Sequence, residues 1–140
     1  MIEDTKSRIA LITGATRGIG RETAILLAKN KKIILIDDSI VRGTTAKKIV
    51  KMLFENNAIE VHLGISCPPI KHPDFYGIDT PNYKELLAFE KNIEQMNKYI
   101  GTTSLFFLSL DGTYKAFGFS NRNKNQPQLT DHCFTGDYPI

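Results

Sequence analysis

An α/β fold built on a parallel sheet is what this sequence predicts, and three observations carry that expectation. Three short apolar runs, Arg8 to Thr13, Lys32 to Ile36 and Glu60 to Ile65, alternate with two stretches of helical periodicity. The first two runs each lead through a turn rich in glycine or hydroxyl residues into a helix. Strand, helix, strand, helix, strand at this spacing implies right-handed crossovers between parallel strands.

Taken in order, Arg8 to Thr13 reads as a short buried strand, because its apolar residues are consecutive rather than alternating. Gly14 to Gly20 is a glycine-rich turn, and from Gly20 to Asn30 the residues Ala24, Ile25, Leu27 and Ala28 share one helical face. Lys32 to Ile36 is the second strand and ends in Asp37 and Asp38. The loop Ser39 to Gly43 opens a helix over Thr44 to Asn57, with Ile49, Val50, Leu53 and Phe54 at helical spacing and Lys47, Lys48 and Lys51 outward. Glu60 to Ile65 is the third strand. Cys67 to Pro81 contains Pro68, Pro69, Pro73, Gly77 and Pro81, too many breakers for a helix or central strand, and predicts a long ordered loop. Short helices are expected at Asn82 to Glu90 and Asn92 to Tyr99, a strand at Leu105 to Leu108 and a helix at Gly112 to Phe117. Ser120 to Gln128 is polar and Asn-rich, which predicts a mobile surface segment. Internal repeats and heptads are absent from the sequence.

The 140 residues amount to one domain, long enough to bury roughly two thirds of the unfolded surface without disulfides or metals. A net charge of +3 argues for neither nucleic acid nor membrane as partner. No apolar run approaches the roughly 18 residues a membrane span needs. The acidic start from Met1 to Lys6 lacks the pattern of a secretory leader, so a cytoplasmic address is expected. Two cysteines, Cys67 and Cys133, suit a reducing compartment.

The sharpest chemistry lies in Ile34-Leu35-Ile36-Asp37-Asp38-Ser39-Ile40-Val41-Arg42-Gly43-Thr44-Thr45. An apolar strand delivers two carboxylates at its carboxyl end, where open α/β sheets bind ligands. The following turn supplies hydroxyls at Ser39, Thr44 and Thr45 and a glycine at Gly43, and its amides with the helix amino terminus make an anion site. Carboxylates do not favour that same phosphate, but they accept hydrogen bonds from a ribose diol or help hold Mg²⁺. Together these residues describe a ribose 5-phosphate site, with the diol at Asp37 and Asp38 and the phosphate at Ser39 to Thr45. The plainer alternative is a capped helix start with acidic residues before it.

The string Asp37 to Thr45 resembles the phosphoribosyl pyrophosphate motif of type I phosphoribosyltransferases, and among them the amidophosphoribosyltransferases that open purine synthesis. Ser66-Cys67-Pro68-Pro69-Ile70-Lys71-His72-Pro73, Phe75 to Pro81, Tyr99-Ile100-Gly101 and Cys133-Phe134-Thr135-Gly136-Asp137-Tyr138-Pro139 extend the likeness to that family's carboxyl-terminal part. The resemblance runs from about residue 31 to 140. It implies a parallel sheet of the type I phosphoribosyltransferase, Rossmann-like kind, truncated and with an irregular carboxyl-terminal segment. It also implies a phosphoribosyl pyrophosphate site at Asp37, Asp38, Ser39, Arg42, Gly43, Thr44 and Thr45, with Mg²⁺ at Asp37 and Asp38. The family's glutaminase part and the early strands of its transferase domain are not expected in this chain, so no catalytic residue is assigned. Some members carry an iron–sulfur cluster on four cysteines; Thr130 and Asp74 stand where two would lie, so no cluster is expected. His72, His132 and Cys133 have no zinc-ligand spacing and are read as satisfied loop residues.

Residues 8–30 point elsewhere. Leu11-Ile12-Thr13-Gly14-Ala15-Thr16-Arg17-Gly18-Ile19-Gly20 is similar to the cofactor loop of short-chain dehydrogenases, which cradles a dinucleotide pyrophosphate. Asp38 follows Gly14 at about the distance where that family places its ribose carboxylate. The chain therefore reads as one composite domain over 1–140: a dehydrogenase-like strand, glycine loop and helix at 8–30, and a phosphoribosyltransferase segment at 31–140. The leading function is a truncated amidophosphoribosyltransferase-like protein that binds phosphoribosyl pyrophosphate or ribose phosphate, as a possible homo-oligomer without nucleic-acid or membrane partners. The alternatives are an NAD(P)-binding remnant using Gly14, Arg17, Gly18, Ile19 and Gly20, and a non-catalytic fusion or gene remnant. Asn56-Asn57-Ala58 echoes a dehydrogenase motif but has Ile59 where that motif has glycine.

A dehydrogenase of this kind needs a Tyr followed four residues later by a Lys that lowers its pKa. Thr80, Leu87, Thr103 and Gly118 stand at that offset from Tyr76, Tyr83, Tyr99 and Tyr114. Assays of nicotinamide absorbance with alcohols and ketones should therefore detect no turnover; turnover abolished by changing a single Tyr would refute this reading.

Overall fold

In the computed structural model, residues 8–76 and 82–138 are described. The expectations for Met1 to Lys6, for the end of the proline-rich loop at Gly77–Pro81 and for Pro139 lie outside these residues. Four strands, β1 (Ile9–Thr13), β2 (Lys32–Asp37), β3 (Glu60–Ile65) and β4 (Ser104–Phe107), form one sheet in the order β1-β2-β3-β4. All three pairings are parallel. The register sets Ile33 between Ala10 and Val61, and Leu35 between Ile12 and Leu63.

Helices α1 (Gly18–Ala28), α2 (Thr44–Glu55) and α4 (Ile93–Ile100) pack on the face that carries Ile12, Ile33, Leu35, Val61, Leu63 and Leu105. Strands laid down in sequential order by right-handed crossovers put every connection on the same side. Ala24 and Ala28 of α1, Ile49, Val50 and Leu53 of α2, and Met96 and Ile100 of α4 complete the core. Each of the larger side chains contributes about 1.5–3 kcal/mol on burial.

The opposite face receives no helix among the described residues packed on the sheet, which corrects the expectation that the first strand is buried. Ile9 and Leu11 are 64% and 67% exposed, so β1 is an edge strand covered on one side. The consecutive apolar residues there mimic two-sided burial without having it. On the same face the Phe106 ring lies over Gly64, where a Cβ would come within 2.5 Å of it.

The helix boundaries follow local chemistry. α2 runs two residues less than expected because Asn56 donates its side-chain amide to the Met52 carbonyl and Asn57 turns left-handed at φ 66°. The Asn56-Asn57 pair is thus a helix end. α4 begins with a reciprocal cap, Asn92 accepting from the Gln95 amide while the Gln95 side chain accepts from that of Asn92. Between β3 and α4 the chain makes a 3₁₀ turn (Tyr83–Glu85) and a single helical turn, α3 (Leu87–Glu90), rather than one helix. α5 (Leu110–Ala116) begins two residues earlier than expected, capped by Ser109. A short α6 (His132–Thr135) was not anticipated. Among the described residues no helix is long and apolar enough to cross a membrane.

The Asn-rich stretch 120–128 is exposed apart from Arg122, which is tied inward. Arg122 reaches inward to Asp131, its Nε 2.6 Å from Oδ2, and its Nη2 also meets Asp137 at 2.8 Å. Tyr114 of α5 donates its hydroxyl to the same Asp131 oxygen at 2.8 Å, and Asp131 is only 4% exposed. Asn123 accepts from the amides of Asn125 and Gln126, closing the turn beyond. Burial pushes the Asp131 carboxyl upward, but the hydrogen bonds from Arg122 and Tyr114 and the guanidinium charge outweigh it and hold it below the usual range.

Removing one partner of a buried ion pair strands the other charge. Arg122→Met should therefore destabilise the chain by about 3–5 kcal/mol in urea denaturation, against less than about 0.5 for an ordinary surface site. Because the native Asp131 pKa is depressed, the Arg122 contribution should be full above the carboxyl's unfolded pKa and fade as pH falls through the lower native value. A wild-type midpoint in Arg122→Met would show that the pair is idle.

Candidate functional site

The parallel register brings the carboxyl ends of β1, β2 and β3 side by side, so the loops after Thr13, Asp37 and Ile65 leave from one edge. The Ser66 amide and hydroxyl both donate to the Asp37 carbonyl, at 3.0 and 3.1 Å, tying the third loop to the end of β2. From outside, the Leu87 amide donates to the Val41 carbonyl at 2.9 Å. The loop between β2 and α2 is thus held at both ends.

Gly43 is the residue this loop cannot exchange. It adopts φ 73°, and a Cβ built there would approach Leu87 Cδ2 to 2.6 Å. α2 follows at once, its first bond running from the Lys47 amide to the Gly43 carbonyl at 3.0 Å. No side chain caps this helix and no acid lies in its first turn. Its leading amides therefore remain available to an anion, with the helix dipole adding about 0.3–1 kcal/mol.

In front of these amides is a cavity of about 340 Å³, lined by Thr16 and by every residue from Asp37 to Ala46. Asp37, Asp38, Ser39, Arg42, Gly43, Thr44 and Thr45 are thereby brought to one space of the size small ligands occupy. Arg42 also makes an exposed ion pair, its Nε donating to Glu85 Oε2 at 2.7 Å. Such a pair is worth at most about 1 kcal/mol, so it does not commit the side chain. Thr16, Ser66 and Glu85 are the residues sequence reasoning left out. Thr16 and Ser66 each had a signal, inside the strings that follow β1 and β3, whereas Glu85 had none.

Burial raises the Asp37 carboxyl above its ordinary pKa; the Asp38 amide draws it back in part, and the Asp38 charge lifts it further. Two adjacent carboxylates of this kind suit a hard cation or a diol better than they suit each other. Cys67, on the next loop, is pushed up to about 11 by burial and by the Asp38 charge, and stays a thiol at neutral pH.

The glycine loop after β1 is equally constrained. Gly14 and Gly18 take φ 63° and 55°, and a Cβ on Gly20 would lie 2.2 Å from the Gly14 carbonyl oxygen. α1 starts at Gly18, two residues before the apolar periodicity begins, behind an extended Arg17 that makes no side-chain cap. Ile19 is 88% exposed.

A second cluster stands apart. Asp74, His132 and Cys133 each offer a donor atom, all within 4.8 Å of one another. His72 is not among them; its Nδ1 meets the Tyr83 hydroxyl at 3.3 Å. The expectation that His132 is a satisfied loop residue is corrected: it is 2% exposed, and neither ring nitrogen has a hydrogen-bond partner. An oxygen of Asp74 lies 3.3 Å from Nε2.

No protein-family model matches the chain. Amidophosphoribosyltransferase of Rhizobium etli is 54% identical over 114 residues, 81% of this chain and 23% of that protein. That of Bacillus subtilis is 47% identical over 113 residues, 81% of this chain and 24% of the relative. The solved glutamine phosphoribosylpyrophosphate amidotransferase of B. subtilis, complexed with ADP and GMP, superposes with a TM-score of 0.73 at 46% identity, over 82% of this chain and 25% of that one. A structure described as the allosteric regulatory enzyme of purine biosynthesis gives the same TM-score at 41% identity, over 88% and 28%. The chain thus spans about a quarter of the length of the curated relatives it matches.

A carboxyl whose native pKa is raised weakens the fold wherever it is ionised. Asp37→Asn should raise the thermal midpoint at neutral pH, and the gain should shrink as pH falls through the native Asp37 value. Equal midpoints at neutral pH would show that Asp37 is not strained by its place in the site.

Proposed function

We propose that this chain, about four fifths of which is homologous to a segment of the amidophosphoribosyltransferases, binds ribose 5-phosphate and phosphoribosyl pyrophosphate in the cavity before α2. One observation carries the reading: an uncapped helix start with Thr44 and Thr45 in its first turn shares its cavity with two carboxylates. The phosphate takes the amides and hydroxyls of Ser39 to Thr45. The diol takes Asp37 and Asp38, which cannot serve the phosphate because their charge repels it. The same oxygens fit Mg²⁺, whose charge would offset that of the bound phosphates. Arg42 exchanges Glu85 for phosphate at small cost.

The reading is of binding. Transfer at the ribose carbon needs charge-stabilising groups around the departing pyrophosphate, and no residue of this chain is assigned that role. We read residues 8–30 and 31–140 as one composite domain, supported by the β1–β2 ladder and by the Asn30 amide donating to the Asn57 carbonyl. The two free thiols suit a cytoplasmic chain. A second reading, dinucleotide binding at Gly14, Arg17, Gly18, Ile19 and Gly20, is favoured by the uncapped start of α1 and by Thr16 reaching the same cavity.

Titration calorimetry separates the two. Ribose 5-phosphate with Mg²⁺ should bind at millimolar or lower concentration, and Thr44→Val with Thr45→Val should weaken it at least about tenfold, since hydrogen bonds to charged groups are worth about 1.5–3 kcal/mol. Asp37→Asn with Asp38→Asn should weaken the sugar phosphate more than inorganic phosphate. Heat with NAD and none with millimolar ribose 5-phosphate or phosphoribosyl pyrophosphate would overturn the first reading in favour of the second.

A further inference from the structure

Away from the cavity before α2, the loop after β3 and the carboxyl-terminal α6 are laced together around His132. The Lys71 and His72 amides both donate to the Cys133 carbonyl, at 2.9 and 3.0 Å, and the Tyr138 hydroxyl donates to the Pro73 carbonyl at 2.9 Å. The rings of Tyr76 and Tyr138 flank the imidazole, their centroids 5.4 and 5.2 Å from its own. These contacts fix the ring without using either nitrogen. A buried polar group is ordinarily hydrogen-bonded, and an orphaned one destabilises the fold. His132 carries two such atoms, one of them facing a buried carboxylate.

From this geometry we infer that Asp74, His132 and Cys133 form a binding site for a single divalent transition-metal ion of the Zn²⁺ class. An imidazole nitrogen, a thiolate and a carboxylate oxygen are the three donor types that zinc takes. The separation of 3.3 Å between His132 Nε2 and Asp74 Oδ1 matches the roughly 3.3 Å edge that two ligands at about 2.0 Å span around a tetrahedral ion. Cys133 closes the set after a side-chain adjustment of about 1 Å, since all three donors already lie within 4.8 Å. One sulfur suits a lone ion; a cluster would need several thiolates. Cys133 is half-buried, and a cavity of about 420 Å³ bordered by His132, Asp137 and Tyr138 gives a route of entry and room for water as fourth ligand. On binding, Cys133 releases its thiol proton to solvent and its sulfur lone pair forms the bond to the metal. The ion would fasten the loop after β3 to α6, a structural role independent of the ribose phosphate reading.

The test uses the full chain freed of metal and then titrated with Co²⁺ as a spectroscopic probe. One equivalent should bind, with a thiolate-to-cobalt charge-transfer band in the near ultraviolet that one equivalent of Zn²⁺ abolishes. Cys133→Ser should remove the band and weaken Zn²⁺ at least tenfold, Asp74→Asn should weaken Zn²⁺ at least tenfold, and Cys67→Ser should leave both properties intact. Should any variant fail to fold, the wild-type chain still decides: Zn²⁺ should protect Cys133 but not Cys67 from alkylation, read by peptide mass spectrometry. Absence of stoichiometric binding, a band that survives Cys133→Ser, or equal alkylation of Cys133 with and without Zn²⁺ would reduce the cluster to a buried ion pair and overturn the inference.

Discussion

Everything in this chain hangs on β2 being hydrogen-bonded along both of its edges. Lys32–Ile36 are in parallel register with β1 on one side, and Lys32–Asp37 with β3 on the other. The register leaves no choice about what gathers at the carboxyl end: the glycine loop, the carboxylate pair and the Ser66 tether must emerge together. A slip of one residue would turn Ile33 and Leu35 out of the core and Ile34 and Ile36 into it. The buried pairs Ile33–Val61 and Leu35–Leu63 oppose that slip, so hydrophobic packing beneath the sheet holds the polar chemistry above it.

The same strand explains why the site is polar at a cost. Its last residue, Asp37, belongs by alternation to the helix-bearing face, where a carboxylate is poorly solvated. Beside it stands Asp38, so two negative charges share the mouth of one cavity, while the amides that open α2 are left without a side-chain cap. Negative charge and uncapped donors sit a few residues apart, and the one cation between them, Arg42, is turned to Glu85. Local rules are broken here in two opposite senses, and such conflicts concentrate where a protein meets a ligand.

Much of this was legible in the sequence, because it is written locally. The strands, the two turns and α2 each announce themselves within a window of about a dozen residues, by periodicity or by glycine and hydroxyl placement. What escaped was of another kind. Asp131 meets Tyr114 and Arg122, and Asp74 meets His132, through contacts between residues that no periodicity links. At residues 120–128 the composition announced an exposed polar segment but not the inward tie of Arg122 to Asp131. At β1 the apolar run gave a true strand and a false burial, since consecutive isoleucines and leucines read the same whether one face is covered or two.

That half-covered strand has a consequence of a colloidal kind. β1 ends the sheet, with no strand partner on its outer side among the described residues, and it presents Ile9 and Leu11 to water. An edge of unpaired amides and carbonyls beside exposed branched side chains is a template on which another strand can grow. Natural sheets blunt such edges with lysine, proline or a bulge, and Ile9–Thr13 contains none of these. A net charge of +3 supplies little repulsion between molecules, and screening by salt removes most of that. The upper limit on how concentrated this protein can be kept is therefore set by the edge of its first strand and by ionic strength, independently of how tightly its core is folded.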